Sequence, residues 1–171
     1  MQAKHIIQID DLSINDIEEI FSLAEYYLQE NKNKVEQQHY LQSFTQINVF
    51  FENSTRTLAS FELAGKKLGG IVQDIRIATS SIQKGETLID TALTLNAMRP
   101  NLLVVRHSSS GAVNLLSEKV NCSVLNAGDG SHEHPTQALL DSLTIKYRKK
   151  KKEGLIMEIS LLRLSLLRKR T

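Results

Sequence analysis

The chain of 171 residues is long enough for one domain with a substantial core, since 41% of its residues are hydrophobic and 23% are charged. A formal net charge of +2 and an aromatic content of 5% argue against nucleic acid or membrane as a partner. Cys122 is the only cysteine, which excludes an internal disulfide and favours a reducing compartment. The N-terminal region lacks the apolar core of a signal peptide, so we predict a cytoplasmic protein.

The first predicted element is an amphipathic helix in the segment LSINDIEEIFSLAEYYLQE. Ser13 is placed to cap its N-terminus. Apolar residues at helical spacing form one face, namely Ile17, Ile20, Phe21, Ala24 and Leu28. The polar residues 31–38 that follow are predicted to be a loop or a frayed helix end.

Further along the chain, short runs rich in β-forming residues alternate with helix-length segments. The predicted strands are 47–51, 71–75, 102–106 and 123–127, and the predicted helices are 57–68, 86–98, 111–119 and 135–148. This alternation predicts the α/β class, with a parallel sheet of about four strands flanked by helices on both faces. Ligands of such sheets bind beyond the carboxyl ends of the strands, so the residues after each strand are the candidates for function.

The segment NSTRTLASFE follows the first predicted strand and opens the next helix. Ser54, Thr55, Arg56 and Thr57 therefore occupy the first helical turn, where free backbone N–H groups and the helix dipole favour an anion. Three hydroxyls and a guanidinium suit a tetrahedral phosphate. The alternative is a capped helix with a surface arginine, but capping requires only one hydroxyl. The pattern favours phosphate binding.

The second and third strands are also followed by polar residues. Ser80, Ser81 and Lys84 form a loop after the second strand, which alone is weak evidence because such loops are usually only solvated. Arg106 and His107 stand at the carboxyl end of the third strand, where a cation points toward the anion held by the first helix. The alternative for Arg106 is an ion pair with a nearby carboxylate.

The fourth strand leads into NAGDGSHEHPTQALLD, where glycines permit a sharp turn and Pro135 suits the first position of a helix. His134 then falls at the helix boundary, with Gln137 one turn later on the same side. A neutral imidazole and a carboxamide together can hold a carbonyl oxygen and an amide nitrogen.

A metal site in the same segment is the less favoured interpretation. Asp129, His132, Glu133 and His134 include a tolerable His-x-His spacing. No further Cys or His cluster supports it, so we predict no metal.

Taken together, these segments resemble the carbamoyl-phosphate-binding half of aspartate carbamoyltransferase catalytic chains. The matching segments, in the order and spacing of the family over residues 1 to about 150, are FFENSTRTLASFE, SSIQKGETLIDT, VVRH and LNAGDGSHEHPTQALLDSLTI. The resemblance implies a carbamoyl-phosphate-binding domain at 1–150 and a transferase of de novo pyrimidine biosynthesis. It also implies L-aspartate as the second substrate and a homotrimer, with or without regulatory chains.

The resemblance also implies roles for individual residues. Ser54, Thr55, Arg56 and Thr57 would bind the phosphate of carbamoyl phosphate. Ser80 or Ser81 and Lys84 would complete the site of an adjacent subunit. The carbamoyl oxygen would be held by Thr57, Arg106 and His134, and the carbamoyl nitrogen by Gln137. The family reaction requires neither a cofactor nor a metal.

Three other functions compete with this one. An ornithine carbamoyltransferase would share the Ser-Thr-Arg-Thr helix start, but the Lys-Gly-Glu-Thr loop and HPTQALLD resemble the aspartate enzyme. A non-catalytic module would bind carbamoyl phosphate or associate with intact subunits without turnover. A dinucleotide-binding domain is disfavoured because no Gly-x-Gly-x-x-Gly follows the first strand.

The resemblance ends near the run of lysines that begins at Lys149. The family continues with an aspartate-binding domain, so we expect residues 151–171 to be an atypical tail, a frameshifted remnant in place of that domain. We expect the chain alone to lack turnover. The alternative, a helix that binds a surface or a partner, is disfavoured because the apolar positions nearly encircle the helix axis. Sequencing the coding DNA beyond the lysines tests the frameshift.

Overall fold

The computed structural model describes residues 3–30, 39–77 and 87–149. After a short 3-10 helix at Ile9–Asp11, the elements in chain order are α1 (Ile14–Glu30), β1 (Thr45–Phe50), α2 (Thr55–Lys67), β2 (Ile71–Arg76), α3 (Leu88–Ala97), β3 (Leu102–His107), α4 (Ala112–Ser117), β4 (Ser123–Asp129) and α5 (Pro135–Lys149). Every predicted strand and helix is present, with ends that differ by one to a few residues. The predicted loop at 31–38 and the tail at 151–171 lie outside the described residues.

The four strands form one parallel sheet in the order β2-β1-β3-β4. The chain moves outward from β1 to β2 and then crosses back to place β3 on the other side of β1. The connections therefore change direction between β1 and β3, which is the place where open parallel sheets bind ligands at their carboxyl edge. The predicted fold class is confirmed.

Successive side chains of the buried strands point to opposite faces of the sheet. Both faces are therefore apolar, and helices cover both of them. One face packs Ile47, Val49, Leu103 and Val105 against apolar residues of α3 and α4, including Ala92, Leu95, Val113 and Leu116. The other face packs Phe50, Val104 and Ala127 against Leu58 and Phe61 of α2. Because both faces are buried, the sequences of the central parallel strands are continuous apolar runs.

The face under α2 also contains a buried polar network. The Gln46 carboxamide donates to Asn48 Oδ1 (2.8 Å) and to the carbonyl oxygen of Phe61 (3.0 Å), and Asn48 donates to Asp74 Oδ1 (2.7 Å). Burial raises the pKa of Asp74 above its usual value, although the hydrogen bond from Asn48 opposes that rise. Because a buried donor without a partner is costly, this network fixes α2 on β1 and β2.

Two predictions about α1 can be compared with the structure, namely its N-cap and its apolar face. Ser13 caps α1 as predicted, since its Oγ accepts the Asp16 N–H (3.2 Å) and its own N–H donates to Asp16 Oδ2 (3.1 Å). Phe21 on the predicted apolar face is buried, but Leu28 on the same face is 51% exposed.

Within the part of the chain that the structure describes, no helix has both the length and the apolar character needed to cross a membrane.

By its internal contacts the chain divides into two units, Met1–Leu140 and Asp141–Thr171. The sheet, the helices α1 to α4 and the first residues of α5 belong to the first unit. Within the described residues, the second unit consists of the remaining part of α5.

Candidate binding site at the carboxyl edge of the sheet

The passage from β1 into α2 gathers the hydroxyl groups of the Ser-Thr-Arg-Thr segment. Ser54 is the N-cap residue of α2, and its hydroxyl donates to Thr57 Oγ1 (3.0 Å) instead of accepting a backbone N–H of the first turn. The first turn contains no acidic residue. The free N–H groups at the helix start are therefore left for another acceptor, and the dipole favours a negatively charged one. Thr55 and Arg56 are exposed at this end.

Arg106 extends from the end of β3 toward the same place. It pairs in register with Phe50, and its carbonyl oxygen accepts the Phe51 N–H (2.9 Å). Its guanidinium contacts Glu52 Oε1 through Nη2 (2.6 Å) and the Ala127 carbonyl oxygen through Nη1 (2.9 Å). The side chain is 23% exposed. The arginine thus bridges the ends of β1, β3 and β4.

One donor of this guanidinium is buried without an acceptor. Among the described residues, Arg106 Nε is the buried side-chain nitrogen or oxygen that has no hydrogen-bond partner. A buried unsatisfied donor costs about 1–3 kcal/mol, and such atoms in native proteins call for an explanation such as a ligand. The ion pair with Glu52 also matches the alternative interpretation of Arg106, so the arginine has both a carboxylate partner and an unused donor.

His134 lies beside Arg106 because both side chains pack on Gly128. A Cβ atom at position 128 would collide with Arg106 Nη1 and would stand 3.2 Å from Arg106 Cζ and 3.3 Å from His134 Cδ2. Gly128 also has a φ of +112°, a region that glycine tolerates best. His134 immediately precedes α5, and its carbonyl oxygen accepts the Gln137 N–H (3.0 Å). Glycine at this position is what allows the two side chains to converge.

His107, the neighbour of Arg106, has a structural environment. Its ring packs on Phe51 with a centroid separation of 4.7 Å, and its Nδ1 accepts the Ser109 N–H (2.8 Å). Burial lowers the pKa of His107 below its usual value. These contacts hold the turn that follows β3.

Three charged residues near the site were not predicted to contribute to anion binding. Glu52 follows β1 and pairs with Arg106, and Arg76 ends β2 and lines a cavity of about 20 Å³ with Glu52, Ser54 and Thr55. Asp129 ends β4, where the sequence pattern offers it only as a metal ligand. A signal existed for all three, because each is a charged residue at or just after the carboxyl end of a strand.

The remaining predicted residues divide into two groups. Ser80, Ser81 and Lys84 lie outside the described residues. The segment containing Asp129, His132, Glu133 and His134 is described, and across residues 3–30, 39–77 and 87–149 no group of three or more His, Cys, Asp or Glu side chains is arranged to hold a metal. The oxygens of Asp129 are instead surrounded by hydrogen-bond donors.

Fold and site together define a parallel α/β domain whose carboxyl edge carries the start of α2, an arginine paired with Glu52, and a histidine beside that arginine. A family model described as "Aspartate/ornithine carbamoyltransferase, carbamoyl-P binding domain" matches residues 4–147. The chain therefore belongs to the family of aspartate/ornithine carbamoyltransferase carbamoyl-phosphate-binding domains. The resemblance that its segments indicated is confirmed.

Similar proteins support the same assignment. The aspartate carbamoyltransferase catalytic subunit of Pelagibacter ubique is 61% identical over 159 residues, which are 93% of this chain and 51% of that protein. The corresponding subunit of Ruegeria pomeroyi is 62% identical over 146 residues, 85% of this chain and 47% of that protein. The chain thus spans about half the length of the curated relatives it matches.

Solved structures agree in fold. Aspartate transcarbamoylase from Trypanosoma cruzi, in a complex with carbamoyl phosphate and aspartate, superposes with a TM-score of 0.82 at 38% identity, over 90% of this chain and 50% of that chain. The catalytic subunit of the M. jannaschii enzyme gives a TM-score of 0.79 at 40% identity, over 89% and 49%.

Proposed function

We propose that this chain is the carbamoyl-phosphate-binding part of an aspartate carbamoyltransferase catalytic chain. The observation that carries the proposal is the convergence of Arg106 and His134 on Gly128, with Arg106 also reaching Glu52 three residues before the start of α2. In this proposal the cation, the imidazole and the N-terminus of α2 act on one ligand. A small molecule with a phosphate at one end and a polar carbonyl at the other fits that set of donors.

In this proposal the first turn of α2 binds the phosphate group. Ser54 and Thr57 present hydroxyls that already contact each other at 3.0 Å, and Thr55 and Arg56 are exposed beside them. Together with the free N–H groups of the turn, they offer donors in a geometry that suits a tetrahedral dianion.

The carbamoyl end of the ligand would meet Thr57 of the same turn and polar groups from two other segments, the end of β3 and the start of α5. We assign the carbonyl oxygen to Thr57, Arg106 and His134, and the amide nitrogen to Gln137. When an amine attacks the carbamoyl carbon, negative charge grows on this oxygen before phosphate leaves. Donors placed in advance stabilise that charge by about 3–4 kcal/mol each, so the same contacts that bind the ligand lower the barrier.

The complete reaction is proposed for the full-length family protein. The relatives are about twice as long as this chain, and the matched family model covers a carbamoyl-phosphate-binding domain. We therefore assign ligand binding to this chain, and transfer to the amine of L-aspartate in pyrimidine biosynthesis to a protein that also supplies an aspartate site. The cytoplasm is the expected location. Residues 1–150 remain our proposal for the domain, with 151–171 as the tail.

Assembly into a homotrimer is part of the proposal. Ser80, Ser81 and Lys84 would then reach the site of the adjacent subunit, with Lys84 acting in catalysis. Sedimentation equilibrium tests this proposal, and a monomer at every concentration and with ligand present would refute it.

Calorimetric titration tests ligand binding directly. We expect wild type to bind carbamoyl phosphate and its stable analogue phosphonoacetamide, in which a methylene replaces the bridging oxygen. Arg56→Ala should weaken binding by about 10- to 150-fold, the loss expected for one charge-assisted hydrogen bond. Arg99→Ala is the matched control, because Arg99 is an exposed arginine just before β3, at the opposite edge of the sheet. Equal affinity of wild type and Arg56→Ala would refute the phosphate assignment.

A further inference from the structure

We propose that Asp129 is a positioning residue whose buried carboxylate ties the turn after β3 to the turn after β4 and so holds His134 beside Arg106. The inference rests on the proposed function, because it concerns the same site. It extends that function to a residue that does not touch the ligand.

The carboxylate of Asp129 is surrounded by donors from both turns. Its side chain is fully buried. Oδ2 accepts the Gly111 N–H (2.8 Å), and Oδ1 accepts the Asn126 side-chain amide (3.0 Å) and the Glu133 N–H (3.2 Å). His132 Nδ1 lies 3.1 Å from Oδ1. Gly111 opens α4 and Glu133 immediately precedes His134, so one side chain connects two segments that are distant in the chain.

The charge of Asp129 suits this arrangement. Burial by itself would raise the pKa of Asp129, but hydrogen bonds from Asn126, Gly111, His132 and Glu133 outweigh it and hold the pKa below its usual value. The group therefore stays ionised near neutral pH. An asparagine in its place would keep the shape but would turn an N–H₂ group toward donors that now meet an oxygen.

Backbone contacts show that the two turns lie directly against each other. The Gly130 N–H donates to the His107 carbonyl oxygen (3.0 Å), and the Ser131 N–H donates to Ser110 Oγ (3.2 Å). A Cβ atom at position 130, where φ is +52°, would stand 2.7 Å from the Ser110 nitrogen. The hydrogen bonds of the Asp129 carboxylate to both turns are called the Asp129 bridge. The turns therefore cannot move separately while this bridge is intact.

The bridge ends where the proposed ligand contacts begin. Gly128, on which Arg106 and His134 pack, is the residue before Asp129. The Asp129 N–H also donates to the Glu133 carbonyl oxygen (3.1 Å), which closes the turn one residue before His134. Losing the carboxylate would loosen this turn and let His134 move away from Arg106, while α2 and its hydroxyls would keep their geometry.

The test compares two ligands on the full chain. The affinity for inorganic phosphate depends only on the start of α2. The affinity for phosphonoacetamide depends also on the carbonyl contacts of Arg106 and His134. Asp129→Asn should weaken phosphonoacetamide binding by about tenfold or more and phosphate binding by less than about threefold. Asp10→Asn, the same change at an exposed aspartate, should alter neither. Equal losses for both ligands would show a general loss of folded protein and would overturn the inference.

Two further measurements keep the test decisive. If Asp129→Asn does not fold, Ser110→Ala removes another contact between the same two turns, the Ser110 Oγ that accepts the Ser131 N–H, and should weaken phosphonoacetamide binding selectively, whereas Ser109→Ala should not. Histidine-ring NMR spectra without ligand should show a shifted His134 signal in whichever variant folds. An unmoved signal overturns the inference. Failure of wild type to bind either ligand would instead refute the proposed function and leave the NMR result to decide the role of Asp129.

Discussion

Gly128→Ala tests most directly whether the two converging side chains create the site. The added Cβ would collide with Arg106 Nη1 and crowd Arg106 Cζ at 3.2 Å, so the guanidinium must move off the Ala127 carbonyl oxygen. The φ of +112° adds backbone strain of about 1–3 kcal/mol. One substitution thus changes both the position of Arg106 and the stability of the chain.

The two effects can be separated by magnitude and by a control. Displacing a charged donor should cost about 1.5–3 kcal/mol of binding, which is about 10- to 150-fold in affinity for phosphonoacetamide. Gly69→Ala also places alanine at positive φ (85°), but at the far end of α2, so it should lower the melting temperature without changing affinity. Isothermal calorimetry and thermal unfolding measure the two quantities.

The result that would refute this reasoning is equally specific. If Gly128→Ala bound phosphonoacetamide as tightly as wild type while its melting temperature fell as in Gly69→Ala, only backbone strain would have changed. The position of Arg106 would then be irrelevant to binding, and the proposed carbamoyl contact would be wrong.

Three more predictions address the core, the pH response and the ion pair. Leu116→Ala, at a fully buried position, should lower the free energy of unfolding by about 2–5 kcal/mol in urea titrations, whereas the same change at the 39% exposed Leu115 should cost about 0.5 kcal/mol or less. Because folding raises the pKa of Asp74, its carboxyl group lowers the free energy of unfolding as the pH rises from the unfolded pKa to the folded pKa. Asp74→Asn should therefore raise the melting temperature by a few degrees at pH 7 and lose that advantage at pH 3. A difference in melting temperature that does not depend on pH would contradict this. Glu52→Gln should tighten phosphonoacetamide binding about two- to fivefold, since it removes a carboxylate that competes for Arg106, and weaker binding would show that Glu52 instead supports the site.

Much of the fold was predictable because its local signals agree with its global arrangement. Val104 and Val105 belong to a run that is apolar without alternation, and the structure buries it under helices on both faces. Ser13 and the Ser54–Thr57 segment marked helix starts through residue type alone. The ends were less certain, because α4 stops at Ser117 while residues 118 and 119 form a turn with little change in composition.

The sheet order and the contacts it creates could not be predicted in the same way. The alternation of strands and helices does not determine whether β3 lies beside β1 or beside β2. Glu52 meets Arg106 only because β1 and β3 are neighbours, and Gly128 supports both Arg106 and His134 only because β4 follows β3 in the sheet. Asp129 was considered as a metal ligand because composition does not reveal that the groups around it are donors.

The strand order also has a thermodynamic consequence. Ser54, Arg106 and His134 are distant in the chain, and only the completed sheet brings their segments to one edge. An anion bound there would have no counterpart site in the unfolded chain, so ligand at 100 times its dissociation constant should raise the free energy of unfolding by about 2.7 kcal/mol. Phosphate buffer would then stabilise the folded state of this protein. Melting temperatures compared between buffers would therefore reflect the occupancy of the anion site as much as the intrinsic stability of the chain.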